Sequence, residues 1–247
     1  LKNQNNNKFL NILKLKYLFE STNIIPGRYE IKPSMTYLEL MEDIFEGNLQ
    51  QFRFTIIEGT VAKDALSKLR QIIKNNNLNF QISSKTLEIF SKESLILPDT
   101  YFFTDRQQLE RLMINQKIRL DNILTRLWEN KPKDNPLKSI NEALILASIV
   151  EREAAVEWER AQISSVFLSR IRDGWRLDAD PTLIYGYYGD FSKKITKENL
   201  KAVKGDNNPF NTYKIKGLPP RPICYPSLSS IESVICLLYT SDAADES

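Results

Sequence analysis

The strongest constraint in the sequence is the run Leu144-Ile145-Leu146-Ala147-Ser148-Ile149-Val150-Glu151-Arg152-Glu153, an otherwise apolar helix that carries carboxylates and around which the remaining chain reads as scaffold. Ser139 stands three residues before Glu142. At that spacing a serine hydroxyl and a glutamate side chain cap a helix start reciprocally, so the helix is predicted to begin near Ile140. On a wheel of about 100° per residue, Glu151 shares a stripe with Leu144, Ala147, Ser148, Ala154, Ala155 and Trp158. Glu153 points to the opposite side with Glu142 and Arg160. Small and apolar neighbours solvate a charge poorly, which predicts a raised pKa for Glu151 and a proton available for donation; Glu153 reads as a helix-surface charge. Taken alone, a helix glutamate is more often a solvated or ion-paired side chain than a catalyst.

Composition narrows the chemistry. The 247 residues are 42% hydrophobic, enough for one large domain or two smaller ones. The formal charge of +3 is small and the basic residues are interspersed with acids, which argues against a nucleic-acid partner. The chain contains no histidine. That removes serine or cysteine nucleophiles that depend on a histidine base, together with histidine-ligated metals, and leaves carboxylates to run any hydrolysis or elimination. Cys224 and Cys236 cannot make a zinc site by themselves. No apolar run approaches the roughly 18 residues needed to span a bilayer, and no signal peptide precedes the first residues. The chain opens on Leu1, which reads as a fragment whose natural start, with any membrane anchor, lies upstream.

Along the chain, the asparagine- and lysine-rich residues 2–8 are expected to fray, and residues 9–19 show helical spacing. Arg28-Tyr29-Glu30-Ile31 alternates like a strand, and a helix over 37–45 should end at Gly47. A boundary is placed near Asn48. Residues 52–56 read as a strand ending at Glu58-Gly59, followed by a helix over 62–73, a loop at 75–77, a helical stretch at 86–90 and a short buried segment over 95–101. Residues 106–130 read as an amphipathic scaffold helix. Helical signal resumes after Glu153 until Gly174 stops it, with Trp158 and Trp175 assigned to the core. Residues 178–186 and 211–220 read as turn-forming segments rich in Asn, Thr, Tyr, Gly and Pro, a composition suited both to rigid turns and to sugar binding.

The ordered set becomes specific when taken together: Ala147-Ser148-Ile149-Val150-Glu151, Glu159-Arg160, Val166-Phe167-Leu168-Ser169-Arg170, Asp180-Pro181-Thr182 with Tyr185-Gly186, Asn211-Thr212-Tyr213 and Gly217-Leu218-Pro219-Pro220. Upstream stand Gly27-Arg28-Tyr29-Glu30-Ile31, Ile57-Glu58-Gly59 and Leu97-Pro98-Asp99-Thr100-Tyr101. This order and spacing closely resembles the YceG-like endolytic murein transglycosylases, over about residues 25 to 235. The resemblance implies an α+β fold, with a small LysM-like subdomain (1–48, truncated at its start) packed beside a mixed α/β lytic transglycosylase domain (49–235). Several positions depart from the family pattern. Arg221 stands for a glycine, Tyr225 and Ser227 stand for Asn and Gly around Pro226, and Ser94 stands for a glycine. Residues 236–247 look like a translated sequencing-library adapter, so the natural protein is expected to continue differently past Ile235.

The family's glutamate matches the one in Ile149-Val150-Glu151, so the resemblance makes Glu151 the catalytic residue. It implies cleavage of the bond from N-acetylmuramic acid (MurNAc) to N-acetylglucosamine (GlcNAc) in nascent glycan strands, leaving a 1,6-anhydro end. Such chemistry, as the resemblance implies, needs no metal or other cofactor, and one carboxylate where glycoside hydrolysis ordinarily needs two. Candidate sugar-contacting or supporting residues are Asp180, Thr182, Tyr185, Asn211, Tyr213 and Glu58; Asp180 next to Pro181 reads equally as a turn or helix cap. The implied partners are peptidoglycan glycan strands and peptidoglycan synthases. The implied location is the bacterial inner membrane, through a single N-terminal anchor absent from this chain, with the catalytic domain on the periplasmic or outer side. The competing reading is a non-catalytic peptidoglycan-binding or scaffold protein of the cell-wall machinery.

Overall fold

The computed structural model describes residues 24–196, 198, 203–205 and 207–236. The expected helix at 9–19, the opening residues 2–8 and nearly all of the 236–247 segment lie outside the described residues. The chain divides into two compact units, one formed by the described part of Leu1–Arg53 with Phe102–Leu109, the other by Phe54–Tyr101 with the described part of Glu110–Ser247.

In the first unit, helix α1 (Tyr37–Glu46) begins with a complete capping box between Thr36 and Glu39. It ends at Gly47, whose left-handed φ of 74° is the conformation that favours glycine at a helix end. The strand expected at Arg28-Tyr29-Glu30-Ile31 does not form: the segment is irregular, joined to Gln50 by one backbone bond of 2.8 Å, and Ile31 is 72% exposed. Alternation alone does not make a strand where no neighbouring strand offers a ladder.

Strands β1 (Phe52–Thr55) and β2 (Thr100–Phe103) form a two-stranded sheet. Phe52 meets Phe103, Phe54 meets Tyr101, the Thr55 and Thr100 hydroxyls bond, and the Ile56 amide bonds to the Asp99 carbonyl, so the strands run antiparallel. Helices outnumber these short strands, and the class is α+β.

The second unit carries α2 (Ala62–Asn75), α3 (Ser84–Ile89), most of α4 (Arg106–Glu129), α5 (Ile140–Glu153), α6 (Glu159–Arg172), α7 (Asp180–Tyr188) and α8 (Leu228–Ile235). Helix α5 is its axis: Ala143 and every residue from 145 to 150 are buried, and α6, α7 and α8 all pack on it. Fully burying an aliphatic side chain contributes about 1.5–3 kcal/mol, so Leu146, Ile149 and Val150, each at 0% exposure, anchor the helix firmly. The Ser139 hydroxyl accepts from the Glu142 amide as predicted, whereas the Glu142 carboxylate reaches one residue further back, to the Lys138 amide.

Two expectations fail here. Residues 180–188 are helix, because Pro181 sits in the first turn, where its missing N–H has no intrahelical partner to lose. Trp158 and Trp175 are 68% and 63% exposed and so are not core. Among the described residues no helix is long and apolar enough to cross a membrane.

Candidate active site

Glu151 lies in the last turn of α5, and its side chain is 6% exposed. Its Oε2 accepts three hydrogen bonds from the start of α8: the Ser227 amide at 2.9 Å, the Ser227 hydroxyl at 2.5 Å and the Ser230 hydroxyl at 2.7 Å. Ser227 is also the N-cap of α8, its hydroxyl accepting from the Ser230 amide. The carboxylate therefore occupies the positive end of a helix, where amides and dipole favour an anion. Among the described residues Glu151 Oε1 accepts only from Arg160 Nη2, at 3.2 Å.

These donors reverse the expected electrostatics. Burial pushes the Glu151 carboxyl up, but the Ser227 and Ser230 hydroxyls, the Ser227 amide and Arg160 together outweigh it and hold the group below the ordinary carboxylate range. The wheel placed Glu151 among apolar neighbours and missed donors brought in from far along the chain. Glu153 also departs from expectation. It is half-buried, and its pKa is raised by that burial and by Asp180, partly offset by the Asp180 amide and Arg170.

Arg160, only 13% exposed, ties the site together. Its Nε donates to the Ser230 hydroxyl at 3.0 Å, and Nη2 faces Glu151 at 3.2 Å and Glu58 Oε2 at 3.9 Å. Its neighbour Glu159 accepts from the Ala155 amide at 2.9 Å, closing the loop between α5 and α6, so Glu159-Arg160 has a structural half and a site half. Glu58, 53% exposed, is pushed up by burial and by the Glu151 charge, against the lowering effect of Arg160.

Backbone pairing holds these groups in register. The Gly59 amide donates to the Tyr225 carbonyl and the Tyr225 amide to the Thr60 carbonyl, both at 2.9 Å, which sets the Glu58 loop beside the approach to Ser227. Ser148, one turn before Glu151, accepts from the Ile223 amide at 3.0 Å. Ser94 has φ 66°, a conformation that favours glycine, and its buried hydroxyl donates to the Cys224 carbonyl at 2.8 Å. Two of the departures from the family pattern, Ser94 and Ser227, thus supply hydrogen bonds that a glycine would not.

Of the sequence candidates, the structure brings Glu58 alone to Glu151. Asp180 and Tyr213 meet each other instead, the Tyr213 hydroxyl donating to Asp180 Oδ1 at 2.8 Å next to Glu153. Thr182 is buried, bonded to the Ala179 carbonyl at 2.7 Å and to Thr212 at 2.8 Å. Asn211 is buried, donating to the Lys204 carbonyl and accepting from the Tyr213 amide. Tyr185 is 5% exposed and donates to Glu93 at 2.9 Å; burial and that carboxylate push its phenol up to about 12. Arg160, Ser227 and Ser230 escaped the sequence reading as site residues. The available signals were Glu159-Arg160 among the ordered motifs and a serine N-cap before the apolar turn of α8.

The model of the YceG-like family matches residues 2–239. The chain belongs to the YceG-like family. It is 26% identical over 232 residues to the endolytic murein transglycosylase of Bacillus subtilis (strain 168), covering 85% of this chain and 63% of that protein. Against the endolytic murein transglycosylase of Streptococcus pneumoniae serotype 2 (strain D39 / NCTC 7466) it is 30% identical over 144 residues, covering 58% of this chain and 26% of that one. The chain thus spans less than two thirds of the length of these curated relatives. The crystal structure of a putative yceG-like protein from Listeria monocytogenes shares the fold, with a TM-score of 0.55 at 24% identity over 91% of this chain and 80% of that one.

Proposed function

We propose that this YceG-like chain is a lytic transglycosylase that cuts peptidoglycan glycan strands between MurNAc and GlcNAc, with Glu151 as the single acid and base. The observation that carries this reading is the asymmetry of the Glu151 carboxylate: three donors saturate Oε2, while among the described residues Oε1 has only Arg160. Oε1 is the oxygen left to exchange a proton. The glycosidic oxygen entering at Oε1 displaces Arg160 Nη2 and excludes water, and both changes push the carboxyl upward toward its protonated form.

Protonated Glu151 gives its proton to the bridging oxygen as the bond to the MurNAc anomeric carbon breaks. The MurNAc 6-hydroxyl oxygen then attacks that carbon, and its proton returns to Oε1. One proton leaves and one comes back, no water is consumed, and a 1,6-anhydro end results. The donors at the α8 terminus, which stay on Oε2, stabilise the carboxylate between the two transfers. Glu58, Asp180 and Tyr213 are the proposed sugar contacts, with Thr182, Tyr185 and Asn211 holding the surrounding loops.

Three further elements belong to the same reading: a LysM-like character for residues 1–48 beside a catalytic domain over 49–235, work in the cell envelope through an upstream membrane anchor, and cooperation with peptidoglycan synthases. The names of the relatives support the substrate. Glu151→Gln tests the catalyst, because an amide cannot donate and retrieve the proton. Loss of anhydro-ended fragments by about 10²-fold or more, the scale of general acid–base catalysis, with an unchanged circular dichroism spectrum is expected. Wild-type release by the variant would end the proposal. One observation favours a hydrolytic variant of it: Glu58 faces the same Arg160 Nη2 as Glu151, at 3.9 Å, and so offers the second carboxylate that glycoside hydrolysis ordinarily needs.

A further inference from the structure

Two residues beyond Glu151, Glu153 lines a depression of 340 Å³ with Ile163, Val166, Arg170 and Asp178. Arg170 and Asp178 also line a second depression of 540 Å³, with Trp175, Arg176, Lys214 and Lys216, so the two adjoin and form one groove. Each has the size of a small-molecule or peptide subsite. The second carries four cations against a single carboxylate, Asp178.

Trp175 gives that charge a direction. Its backbone is pinned on both sides, the amide donating to the Arg170 carbonyl at 2.7 Å and the carbonyl accepting from the Gly217 amide at 3.4 Å, yet the residue is 63% exposed. An exposed indole carried on an anchored backbone offers a face for stacking. Among the cations, Arg176 Nη1 donates to the Tyr213 carbonyl at 3.0 Å with its Nε 3.8 Å from Asp178 Oδ1, Lys214 donates to Asn207 Oδ1 at 2.9 Å, and Arg170 donates to the Leu177 carbonyl. Lys216 is exposed and has no partner among the described residues.

We propose that this groove is a subsite for the carboxylate-bearing peptide carried by the glycan strand, with Lys216 receiving a carboxylate beside the Arg176–Asp178 pair and Trp175 stacking on its apolar or sugar face. The inference rests on the reading that the substrate is peptidoglycan. The mixed lining selects among anions: Asp178 and Glu153 repel a polyphosphate but suit a peptide that also bears an ammonium group. The groove leads from the Trp175 surface to Glu153, so a strand whose peptide lies in it is registered against the helix that carries Glu151.

Calorimetry with two soluble disaccharides, GlcNAc-MurNAc with and without its peptide, tests this, because neither contains the bond that the protein is proposed to cut. The peptide-bearing form is expected to bind about tenfold tighter, equivalent to about 1.4 kcal/mol. Lys216→Glu and Trp175→Ala should each erase most of that preference without changing the thermal melt, and added salt should narrow it. Equal binding of the two sugars, binding of neither, or an unchanged preference in both variants would overturn the subsite. Full-rate cutting of peptide-free strands would sink it while leaving Glu151 chemistry intact. Peptide-dependent binding by a protein that cuts nothing would support the subsite and remove the catalytic reading.

Discussion

Ser230→Ala removes one of the donors that, with Ser227 and Arg160, hold Glu151 ionised. Ser230 is fully buried, donates to Glu151 Oε2 at 2.7 Å and accepts from Arg160 Nε at 3.0 Å. A hydrogen bond to a charged group contributes about 1.5–3 kcal/mol, against about 0.5–1.5 kcal/mol for a neutral pair. Alanine recovers roughly 0.5 kcal/mol through helix propensity at this exposed-free position in the first turn of α8, so the net loss at neutral pH is about 1–2.5 kcal/mol. The Glu151 side chain is 6% exposed, so solvent screening takes little from this figure.

The sign of the pH dependence follows from the lowered pKa. A depressed folded-state pKa contributes stability that is present above the unfolded value and disappears as pH falls through the folded one. The penalty of Ser230→Ala should therefore be largest at neutral pH and shrink toward the neutral-pair value once Glu151 is protonated. Urea denaturation at both ends of that window measures the penalty, and carbon NMR of a labelled glutamate side chain follows the Glu151 midpoint, which should rise in the variant. An equal penalty at both pH values, or an unmoved midpoint, would refute the claim that the α8 donors hold the carboxylate ionised.

Three other substitutions or conditions probe the frame. Gly59 has φ 74° and a Cβ there would lie 3.0 Å from Arg152 Nη1, so Gly59→Ala should cost at least about 1–2 kcal/mol in thermal or chemical denaturation. Thr212→Val leaves the Ala179 amide without its buried acceptor, while the Thr182 hydroxyl keeps the Ala179 carbonyl, and should cost about 1–3 kcal/mol by the same measurement. The first proton transfer requires protonated Glu151, whose pKa is lowered, so kcat/KM should fall by about tenfold per pH unit above that pKa. A profile that rises with pH instead would assign the residue to base chemistry alone.

Much of the site helix was legible because its information is local. The serine cap, the apolar period and the glutamate of α5 lie within fifteen residues, and the helix starts where they predict. The charge state of Glu151 was not legible, because Ser227 and Ser230 lie 76 and 79 residues away and reach it only through the packing of α8 on α5. Residues 180–188 misled for a related reason: Asp-Pro marks turns and first helical turns alike, and here the helix runs on to Gly189, held at its start by the buried Thr182–Thr212 contact. The two-stranded sheet was half legible. β1 alternates strongly, whereas Thr100–Phe103 carries no period that distinguishes it until β1 supplies its partner.

Digestion of intact glycan strands by the unmodified protein in water enriched with oxygen-18, read by mass spectrometry of the new ends, puts the single-carboxylate account to its most direct test. The account predicts 1,6-anhydro ends free of the label, since the attacking oxygen is the substrate's own 6-hydroxyl. Labelled reducing ends would contradict it and move the chemistry to water activated beside Glu58.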